Sequence, residues 1–306
     1  MYETYNGRYA LYMLEFKYPT IEDKKWIQPI LSDGGYMGSE NAFGTLFIWS
    51  ETYHSKVCRH NGSILLCSGE HSHTYNFPIG KDDLTDVLSA MIENSRENNM
   101  EFRMWGMTQA EITLMEQAMP NTFEYELDRN GSDYVYNTED LIHLAGRKFH
   151  SKRNHLTKFK RTYSYTYEGI TLQNLPDCVQ IAKDWCIANG CNKENGLDKE
   201  GCALRKAFGN YEQLGLLGGL IRIEGKPVAF TIGEEINPNI FLLHFEKALN
   251  DYDGLYAAIN QEFAEHQLAG YQYVNREEDM GIEGLRKAKL SYNPAFLLQK
   301  YSAVLK

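Results

Sequence analysis

The chain has 306 residues, a length that matches two domains of roughly 150 residues each. Hydrophobic residues make up 43% and charged residues 24% of the chain, so intrinsic disorder is not expected. The net charge of −10 and the isoelectric point near 5.4 argue against binding nucleic acid through a uniformly basic surface, and no DNA partner is expected.

Targeting, membrane and metal signals are weak throughout the chain. The first residues, MYETYNGRYALYML, contain no basic region followed by an uninterrupted apolar run. No window approaches the ~18 consecutive apolar residues of a transmembrane helix. The four cysteines from Cys178 to Cys202 are spaced unlike the close pairs of zinc sites. We therefore expect a cytoplasmic protein with no transmembrane segment, no metal and no tightly bound cofactor.

The first half of the chain predicts a mixed α/β unit. IEDKKWIQPILSD predicts a helix, and TLFIWS, KVCRH and SILLCSG predict strands, the last two joined by the turn-forming pair Asn61-Gly62. KDDLTDVLSAMIENSREN then predicts a helix and EFRMWGM a strand. Thr108 and Glu111 match a capping box at the start of another helix, which ends before the strands FEYELD and DYVYN.

The second half repeats this order after a basic linker that reads as helix, Gly146, helix. A strand and two helices lead to the strand patterns LGLLGGLIRIEG, PVAFTIGEE and IFLLHFEKA. A helix over 255–266, the strand YQYVNRE, a short helix and the strand FLLQKYSA follow. Because a helix separates IFLLHFEKA from YQYVNRE, these two strands should lie side by side in a sheet of their own half.

Several of these segments together resemble a known family. HFEKALNDYDGLYAAINQEFAEH and YVNREEDMGIEGLRKAKLSYNPAFLLQKY are similar to the lysylphosphatidylglycerol synthetase C-terminal-domain-like family, which is related to the GNAT and FemABX transferases. The resemblance extends to GRKFHSKRNHLTKFKRTY and PVAFTIGE, so it covers the linker and most of the second half. The first half fits by its layout more than by its motifs.

The resemblance implies an α/β (α+β) fold of two tandem GNAT-like domains, each with a mixed, mostly antiparallel sheet flanked by helices. The expected divisions are an N-terminal domain over 1–145, a basic linker helix over 146–163 and a C-terminal domain over 164–306. In this fold a bulged strand pair opens into a wedge that receives the donor's carrier, and the acceptor enters from the other side. Members of the wider group use aminoacyl-tRNA or acyl-CoA as the donor.

Five residues are candidates for the chemistry. His244 and Glu246 alternate along one strand and are expected to share a face, where either can remove a proton from an attacking amine or hydroxyl. Arg276 and Glu277 follow the neighbouring strand, at the edge where α/β sheets commonly place their sites. Tyr292 is a candidate to protonate a leaving group. Two alternatives stay open: Glu246 and Arg276 form a structural ion pair, and Tyr292 is a packing residue.

The donor-binding candidates surround the helix that crosses between those strands. In acetyltransferases a glycine-rich turn before this helix holds pyrophosphate oxygens. The turn here is NDYDGLY, in which Gly254 is accompanied by Asp251 and Asp253, whose charges repel phosphate. The alternative is that Asp253 and Gly254 only form a turn and a helix start. The other donor-binding candidates are Tyr256, Asn260, Asn275 and Lys289.

The linker is a candidate surface for tRNA or another polyanion, because residues 147–161 include seven basic residues and no acidic one. Leu156 and Phe159 are expected to point inward while the basic side chains face solvent. The alternative is that these bases pair with acids of the same chain. The residues expected to contact the polyanion are Lys148, Lys152, Arg153, Lys158 and Arg161.

These observations predict an acyl- or aminoacyltransferase that moves its group from an aminoacyl-tRNA or acyl-CoA carrier to an unidentified acceptor. The alternative from a different class is a catalytically silent GNAT-like module that binds a polyanion or a protein partner. The weak phosphate-binding turn favours that alternative.

Overall fold

A computed structural model describes residues 14–70, 73–190 and 197–306. Its strands form a single mixed sheet in the order β1-β2-β3-β4-β11-β5-β10-β9-β8-β7-β6. The strands are β1 (Lys56–His60), β2 (Ser63–Ser68), β3 (Thr74–Tyr75), β4 (Arg103–Met107), β5 (Phe123–Asn137), β6 (Tyr165–Gly169), β7 (Leu217–Ile223), β8 (Lys226–Asn237), β9 (Ile240–Ala248), β10 (Tyr273–Asn275) and β11 (Phe296–Leu305).

Helices pack on both faces of this sheet, and the predicted capping box of Thr108 and Glu111 is formed. The helices are α1 (Lys24–Asp33), α2 (Phe43–Ile48), α3 (Ser50–Tyr53), α4 (Leu84–Glu97), α5 (Gln109–Ala118), α6 (Thr138–His143), α7 (His150–Thr162), α8 (Leu175–Ala188), α9 (Leu197–Gly209), α10 (Tyr211–Leu214), α11 (Leu255–Gln267) and α12 (Glu283–Leu290). Single 3-10 turns cover Ile21–Asp23, Ser39–Asn41 and Arg147–Phe149.

Most predicted elements are confirmed, and one has the wrong type. The hairpin at Asn61-Gly62 joins β1 to β2, with Asn61 in the left-handed region at φ 49°. TLFIWS, predicted as a strand, instead runs from α2 through Trp49 to the first residue of α3. The helix α2 is buried at Phe43, Leu46 and Phe47. Because its sequence is an apolar run without a regular polar face, periodicity cannot distinguish a helix from a strand here.

The mixed α/β fold class is confirmed, and β9 and β10 pair in parallel as predicted, with α11 between them. A sheet confined to each half is not what the structure contains. β11 lies between β4 and β5, and β5 lies between β11 and β10, so the last strand of each half joins the other half. The sheet therefore continues across the limits expected at 145 and 164, and the division into domains over 1–145, 146–163 and 164–306 stays a prediction.

A buried charge cluster lies where the halves exchange strands. Lys300 of β11 is fully buried, and its Nζ lies 2.7 Å from Asp133 Oδ1 of β5 and 2.6 Å from Glu40 Oε2. Asn275 at the end of β10 donates to Asp133 Oδ2 at 2.8 Å. Removing one partner from such a network leaves an uncompensated buried charge, so the cluster fixes how β5, β10 and β11 meet.

Two helical layers cover the second half of the sheet. α11 packs on β7, β8 and β9 beside α6 and α7, whereas α8 packs on β8 and β9 beside α9, which contacts α2. Consecutive residues of β9 distinguish these layers: Glu246 contacts Asn260 of α11, and Lys247 contacts Trp185 of α8. We call these two sides of the sheet the α11 face and the α2 face.

Candidate active site

The parallel pair β9 and β10 separates partway along its length. Pairing ends at Leu242 and Asn275, after which β9 continues alongside β8 to Ala248. The chain leaving β10 instead follows β5, with Arg276 N donating to Tyr134 O at 2.9 Å. A gap therefore opens between residues 243–248 and residues 276–279, and we call it the wedge.

A β-bulge in β9 lies at the start of the wedge. Ile232 pairs with Phe245 and Gly233 with Leu243, which leaves His244 as the extra residue. A Cβ atom on Gly233 would overlap the carbonyl oxygen of Leu242, so this close approach requires glycine. The bulge turns His244 and Phe245 to the same side, and the ring of Phe245 lies 5.8 Å from that of Trp49 near α2.

His244 and Glu246 were expected to share a face, and this prediction is wrong. His244 contacts Glu234, whose carboxylate accepts from Gly44 N at the start of α2, while Glu246 contacts Asn260 of α11. Strict alternation holds only for a strand without a bulge, and the extra residue reverses the faces that follow it. The two predicted bases therefore lie on opposite faces of the wedge.

On the α2 face a carboxylate pair encloses a fully buried imidazole. His244 Nε2 lies 3.0 Å from Glu234 Oε1, and His244 Nδ1 lies 3.1 Å from Glu277 Oε1. Burial alone would lower the pKa of His244, but the hydrogen bonds and charges of Glu234 and Glu277 outweigh it and raise that pKa to about 9. His244 is therefore an imidazolium at neutral pH, with neither ring nitrogen free to accept a proton.

Glu277 is the part of this clamp that reaches solvent, with 20% of its side chain exposed. Its backbone is held in the left-handed region at φ 58°, a costly conformation for a residue with a Cβ. The next residue, Glu278, is largely enclosed, and burial together with the charge of Glu277 raises its pKa to about 7. Burial and the charges of these two carboxylates also raise the pKa of Tyr53, which lies exposed on the same side.

On the α11 face a second ion pair crosses the wedge. Arg276 Nη2 donates to Glu246 Oε1 at 3.0 Å, with 11% and 8% of the two side chains exposed. The alternative that these residues form an ion pair between the strands is thus what the structure contains. Arg276 also lies over the rings of Tyr136 and Tyr292, with centroid distances of 5.7 and 5.0 Å.

This second ion pair is surrounded by polar atoms without hydrogen-bond partners among the described residues. They are Arg276 Nη1, Asn260 Oδ1 and Thr231 Oγ1, each buried. Thr231 of β8 stands directly opposite Glu246 of β9, and Asn260 donates to that carboxylate through Nδ2 at 3.3 Å. Buried polar groups are nearly always satisfied in native proteins, so this cluster is a candidate for ligand contact.

Residues 35–304 match the family described as phosphatidylglycerol lysyltransferase, C-terminal. The chain belongs to this family. A protein of unknown function from Bacteroides thetaiotaomicron is 38% identical, with a TM-score of 0.92 over 96% of this chain and 100% of that one. L-PGS from Bacillus licheniformis shares the fold at a TM-score of 0.65 and 13% identity, over 92% and 91% of the two chains. FemX shares the fold at a TM-score of 0.58 and 8% identity, over 94% of this chain and 97% of that one.

Family membership confirms the resemblance inferred from the sequence. The FemX-like and GNAT-like character of the fold is confirmed by FemX and by a tandem GNAT protein from the clavulanic acid biosynthesis pathway, which shares the fold at a TM-score of 0.51 and 11% identity. The family description is that of a transferase that moves an aminoacyl group. No helix within 14–70, 73–190 and 197–306 is long and apolar enough to cross a membrane. Within the same ranges no three histidine, cysteine or acidic side chains are grouped so that they can hold a metal ion.

The basic linker differs from its prediction at two residues. Leu156 and Phe159 of α7 are buried as expected. Lys152 and Arg153 are only partly exposed. Arg153 donates to the carbonyls of Leu144 and Gly146, where it closes the loop before α7.

Lys152 extends toward the α11 face of the wedge, where it contacts Tyr292. Its Nζ lies 3.8 Å from the centroid of the Tyr292 ring. Burial, followed by the charge of Arg276, lowers the pKa of Lys152 to about 8, and Glu246 opposes this only in part. The sequence alone placed Lys152 with its basic neighbours, because the periodicity of α7 does not show that Tyr292 packs beside it.

The other linker cations are exposed, and three pair with acids of the same chain, among them Lys160, whose Nζ lies 3.4 Å from Glu262. Lys148 Nζ lies 2.9 Å from Asp140, and Lys158 Nζ lies 2.6 Å from Asp253. Arg161 is exposed at the end of α7. Exposed ion pairs are weak and exchange readily with other anions, so polyanion binding at Lys148, Lys158 and Arg161 stays a prediction.

The expected phosphate-binding turn is in contact with α7. Gly254 caps the start of α11 in the left-handed region at φ 86°, and a Cβ there would lie 2.6 Å from the carbonyl oxygen of His155. The same Cβ would lie 3.0 Å from Phe159 Cβ, so α7 lies directly against this helix start. Tyr256 is half-exposed beside it, and its hydroxyl accepts from Trp185 Nε1 at 2.9 Å.

Three further predicted residues hold the strand ends of the wedge. The amide of Asn275 donates to Asp133 and to the carbonyl of Met37 at 2.8 Å each. Lys289 Nζ donates to the carbonyl of Arg276 at 2.6 Å and to that of Glu278. Tyr292 is buried, and burial raises the pKa of its hydroxyl far above the usual range. Asn275 and Lys289 thus bind backbone and buried groups of this chain.

Sequence reasoning missed Glu234, Thr231 and Tyr136, all on strands that line the wedge. A signal for Glu234 existed, because PVAFTIGEE is an apolar strand that ends in adjacent acids. An acid within a buried strand needs a partner, and His244 supplies it. Thr231 and Tyr136 are ordinary strand residues by pattern, and only the register of the sheet identifies them.

Proposed function

We propose that this chain transfers an aminoacyl or acyl group in the wedge between β9 and β10. The observation that carries the proposal is the α11-face cluster, in which three buried polar atoms lack partners around the Glu246–Arg276 pair. An acyl ester offers a carbonyl oxygen to Arg276 Nη1, and an aminoacyl group adds an amine that can donate to Asn260 Oδ1. Membership of a lysyltransferase family supports the aminoacyl form.

Aminoacyl-tRNA is the donor that this proposal favours over acyl-CoA. Pyrophosphate binding in the acetyltransferase manner needs an accessible helix start before the crossover helix. Here α7 lies against Gly254, and Asp253 adds a negative charge at the same place. The acceptor remains unidentified.

The α2 face supplies the proton acceptor in this proposal. Glu278 has a pKa near 7, the range in which a general base works best at neutral pH, whereas His244 is already protonated. His244 and Glu234 position Glu277 beside it. Arg276 stabilises negative charge that develops on the carbonyl oxygen during attack.

Donor consumption tests the proposal. Purified protein is incubated with labelled lysyl-tRNA, other aminoacyl-tRNAs or acetyl-CoA, each with phosphatidylglycerol vesicles or a lysine-containing peptide, and loss of the donor label is followed. We expect donor loss with an aminoacyl-tRNA, a reduction of about 100-fold in Arg276→Met, and a lower rate with an altered pH profile in Glu278→Gln. Lys183→Met, an exposed change on α8, is the matched control and should keep the wild-type rate.

The silent binding module remains the second candidate, and the contact of α7 with the start of α11 favours it. It predicts no consumption of any donor by the wild type, together with thermal stabilisation by a bound ligand. A ligand at 100 times its dissociation constant stabilises by about 2.7 kcal/mol, so a melting-temperature screen detects such binding without turnover.

A further inference from the structure

Positive charge exceeds negative charge on the α11 face of the wedge. Lys152 Nζ lies 3.8 Å and Arg276 Cζ lies 5.0 Å from the centroid of the same Tyr292 ring. Glu246 is the carboxylate that Arg276 contacts, through Nη2. Arg276 Nη1 is buried without a partner among the described residues, and no hydrogen bond of Lys152 Nζ is found in that part of the chain either.

This arrangement is unfavourable without a ligand. A buried donor without an acceptor loses its hydration and gains no hydrogen bond in return. The charges facing Lys152 are Arg276, which lowers its pKa, and Glu246, which raises it, while Tyr292 stays neutral. An anion between Lys152 and Arg276 would satisfy both cations and would favour the charged form of Lys152.

We propose that Lys152 and Arg276 form a subsite that binds a phosphodiester group of a nucleotide chain. This inference rests on the proposed function, since it places the carrier of the aminoacyl group under α7 on the α11 face. Arg276 Nη1 carries two N–H groups, so one can donate to a phosphate oxygen while the other donates to the carbonyl oxygen of the acyl ester. The ammonium of Lys152, which lies against the same Tyr292 ring, supplies a second cation for the several acceptor oxygens of a phosphate.

A nucleotide chain is favoured because a further cation lies at the edge of the subsite. The carbonyl of Lys148 accepts from Asn293 Nδ2 at 3.2 Å, which places its backbone beside the residue that follows Tyr292, and its ammonium is half-exposed. Its partner Asp140 forms only a surface ion pair, which an incoming phosphate can replace. Successive phosphates can therefore contact the inner pair and Lys148, whereas a single lipid head group uses the inner pair alone.

Binding of the trinucleotide CpCpA, which carries no aminoacyl group, tests the subsite. Titration followed by NMR should show specific binding to the wild type, weakened about tenfold or more in Lys152→Met, as for loss of a charged hydrogen bond. Methionine keeps the apolar stem over Tyr292, and circular dichroism checks the fold. Lys152→Arg should stay within about threefold of wild type because it keeps the charge. Lys183→Met removes the same charge on α8 and should bind as wild type.

Proton uptake is a second readout that a merely structural lysine would not produce. With a pKa near 8, Lys152 is about half deprotonated at pH 8, and a bound phosphodiester should restore the proton. Calorimetry in buffers of different ionisation enthalpy should therefore detect uptake of about half a proton at pH 8 and almost none at pH 6. Both Lys152→Met and Lys152→Arg should abolish the uptake.

Two results would overturn the inference. One is equal affinity of wild type and Lys152→Met for CpCpA with no proton uptake, and the other is tighter binding of glycerophosphoglycerol than of CpCpA. The trinucleotide carries no group to transfer, so its binding does not depend on turnover. If CpCpA binds through Lys152 while no donor is consumed, the proposed function fails and the subsite remains.

Discussion

Both faces of the wedge contain a buried ion pair, but the hydrogen bonding around that pair is more complete on the α2 face than on the α11 face. Each ties β9 to the end of β10 with a buried ion pair: His244 with Glu277 on the α2 face, and Glu246 with Arg276 on the α11 face. On the α2 face, both ring nitrogens are bonded, and Glu234 also accepts two backbone N–H groups of α2. On the α11 face, three buried polar atoms have no hydrogen-bond partner among the described residues. On the α2 face, Thr45 Oγ1 beside the clamp is also without a partner among these residues, but the side chains of His244, Glu234 and Glu277 are all bonded.

This difference indicates that the two faces have different roles: one supports the wedge, and the other contacts a ligand. A saturated network holds one geometry and has little to gain from a ligand. In an unsaturated network, a buried polar group has lost its hydration without gaining a hydrogen bond, and a ligand that supplies the missing partner removes this cost. We infer that the α2-face clamp fixes the opening of the wedge and that the α11-face cluster contacts what enters it.

Removing His244 should give the largest change in stability. His244→Leu leaves Glu234 and Glu277 facing each other without the buried cation between them. We expect the free energy of unfolding at pH 6 to fall by about 4 kcal/mol, the usual scale for breaking a buried charge network. Urea unfolding followed by circular dichroism measures it. A loss below about 1 kcal/mol would mean that the clamp contributes no more than a surface pair.

The same clamp should make stability depend on pH. Its folded-state pKa near 9 lies above the usual value of 6.5, so its contribution is complete below pH 6.5 and disappears as the pH rises through 9. A shift of this size corresponds to about 3 kcal/mol. The free energies of unfolding of wild type and His244→Gln should therefore converge between pH 6.5 and 9. A constant difference across this range would exclude a charged His244.

Removing Arg276 should cost less than removing His244, although both are nearly enclosed. Arg276→Met leaves Glu246 without its cation but also removes the unpartnered Nη1. These opposing effects lead us to expect a loss of about 2 kcal/mol in the free energy of unfolding. In a double-mutant cycle, Glu246→Leu with Arg276→Met should recover part of the loss. A loss equal to that of His244→Leu would contradict the contrast between the faces.

The sequence predicted the fold better than it predicted the faces of the site. Periodicity located the hairpin at Asn61-Gly62, the meander β7 to β9 and the parallel pair of β9 and β10. It did not reveal that β11 enters the other half, because strand pairing over such a sequence separation depends on tertiary contacts. The helix α2 was missed because its apolar run fits a buried strand equally well.

At the candidate site, the residues near the wedge were easier to predict than the faces to which their side chains point. Glu246, Arg276 and Glu277 lie on β9 and directly after β10, where the sequence placed them, and their role in a site stays a prediction. One extra residue in β9 reversed the face of Glu246 relative to His244. Bulges depend on close backbone approach, here at Gly233, and leave little trace in composition. The inward turn of Lys152 was hidden for a similar reason, since it depends on the position of Tyr292.

The smallest effect should come from the exposed end of α7, which contrasts with the enclosed Lys152. Replacing Lys158 and Arg161 together by serine should leave the unfolding midpoint unchanged, because both are exposed and Lys158 pairs only with the surface residue Asp253. If full-length tRNA lies along α7, the logarithm of its affinity falls with the logarithm of salt concentration at about −0.7 per single-strand phosphate contacted. The double variant should flatten that slope by roughly one to two contacts. Filter binding at several salt concentrations measures it, with Lys183→Ser as the control. An unchanged slope would confine nucleic-acid contact to the α11-face subsite, and salt-insensitive binding by the wild type would remove α7 as a polyanion surface.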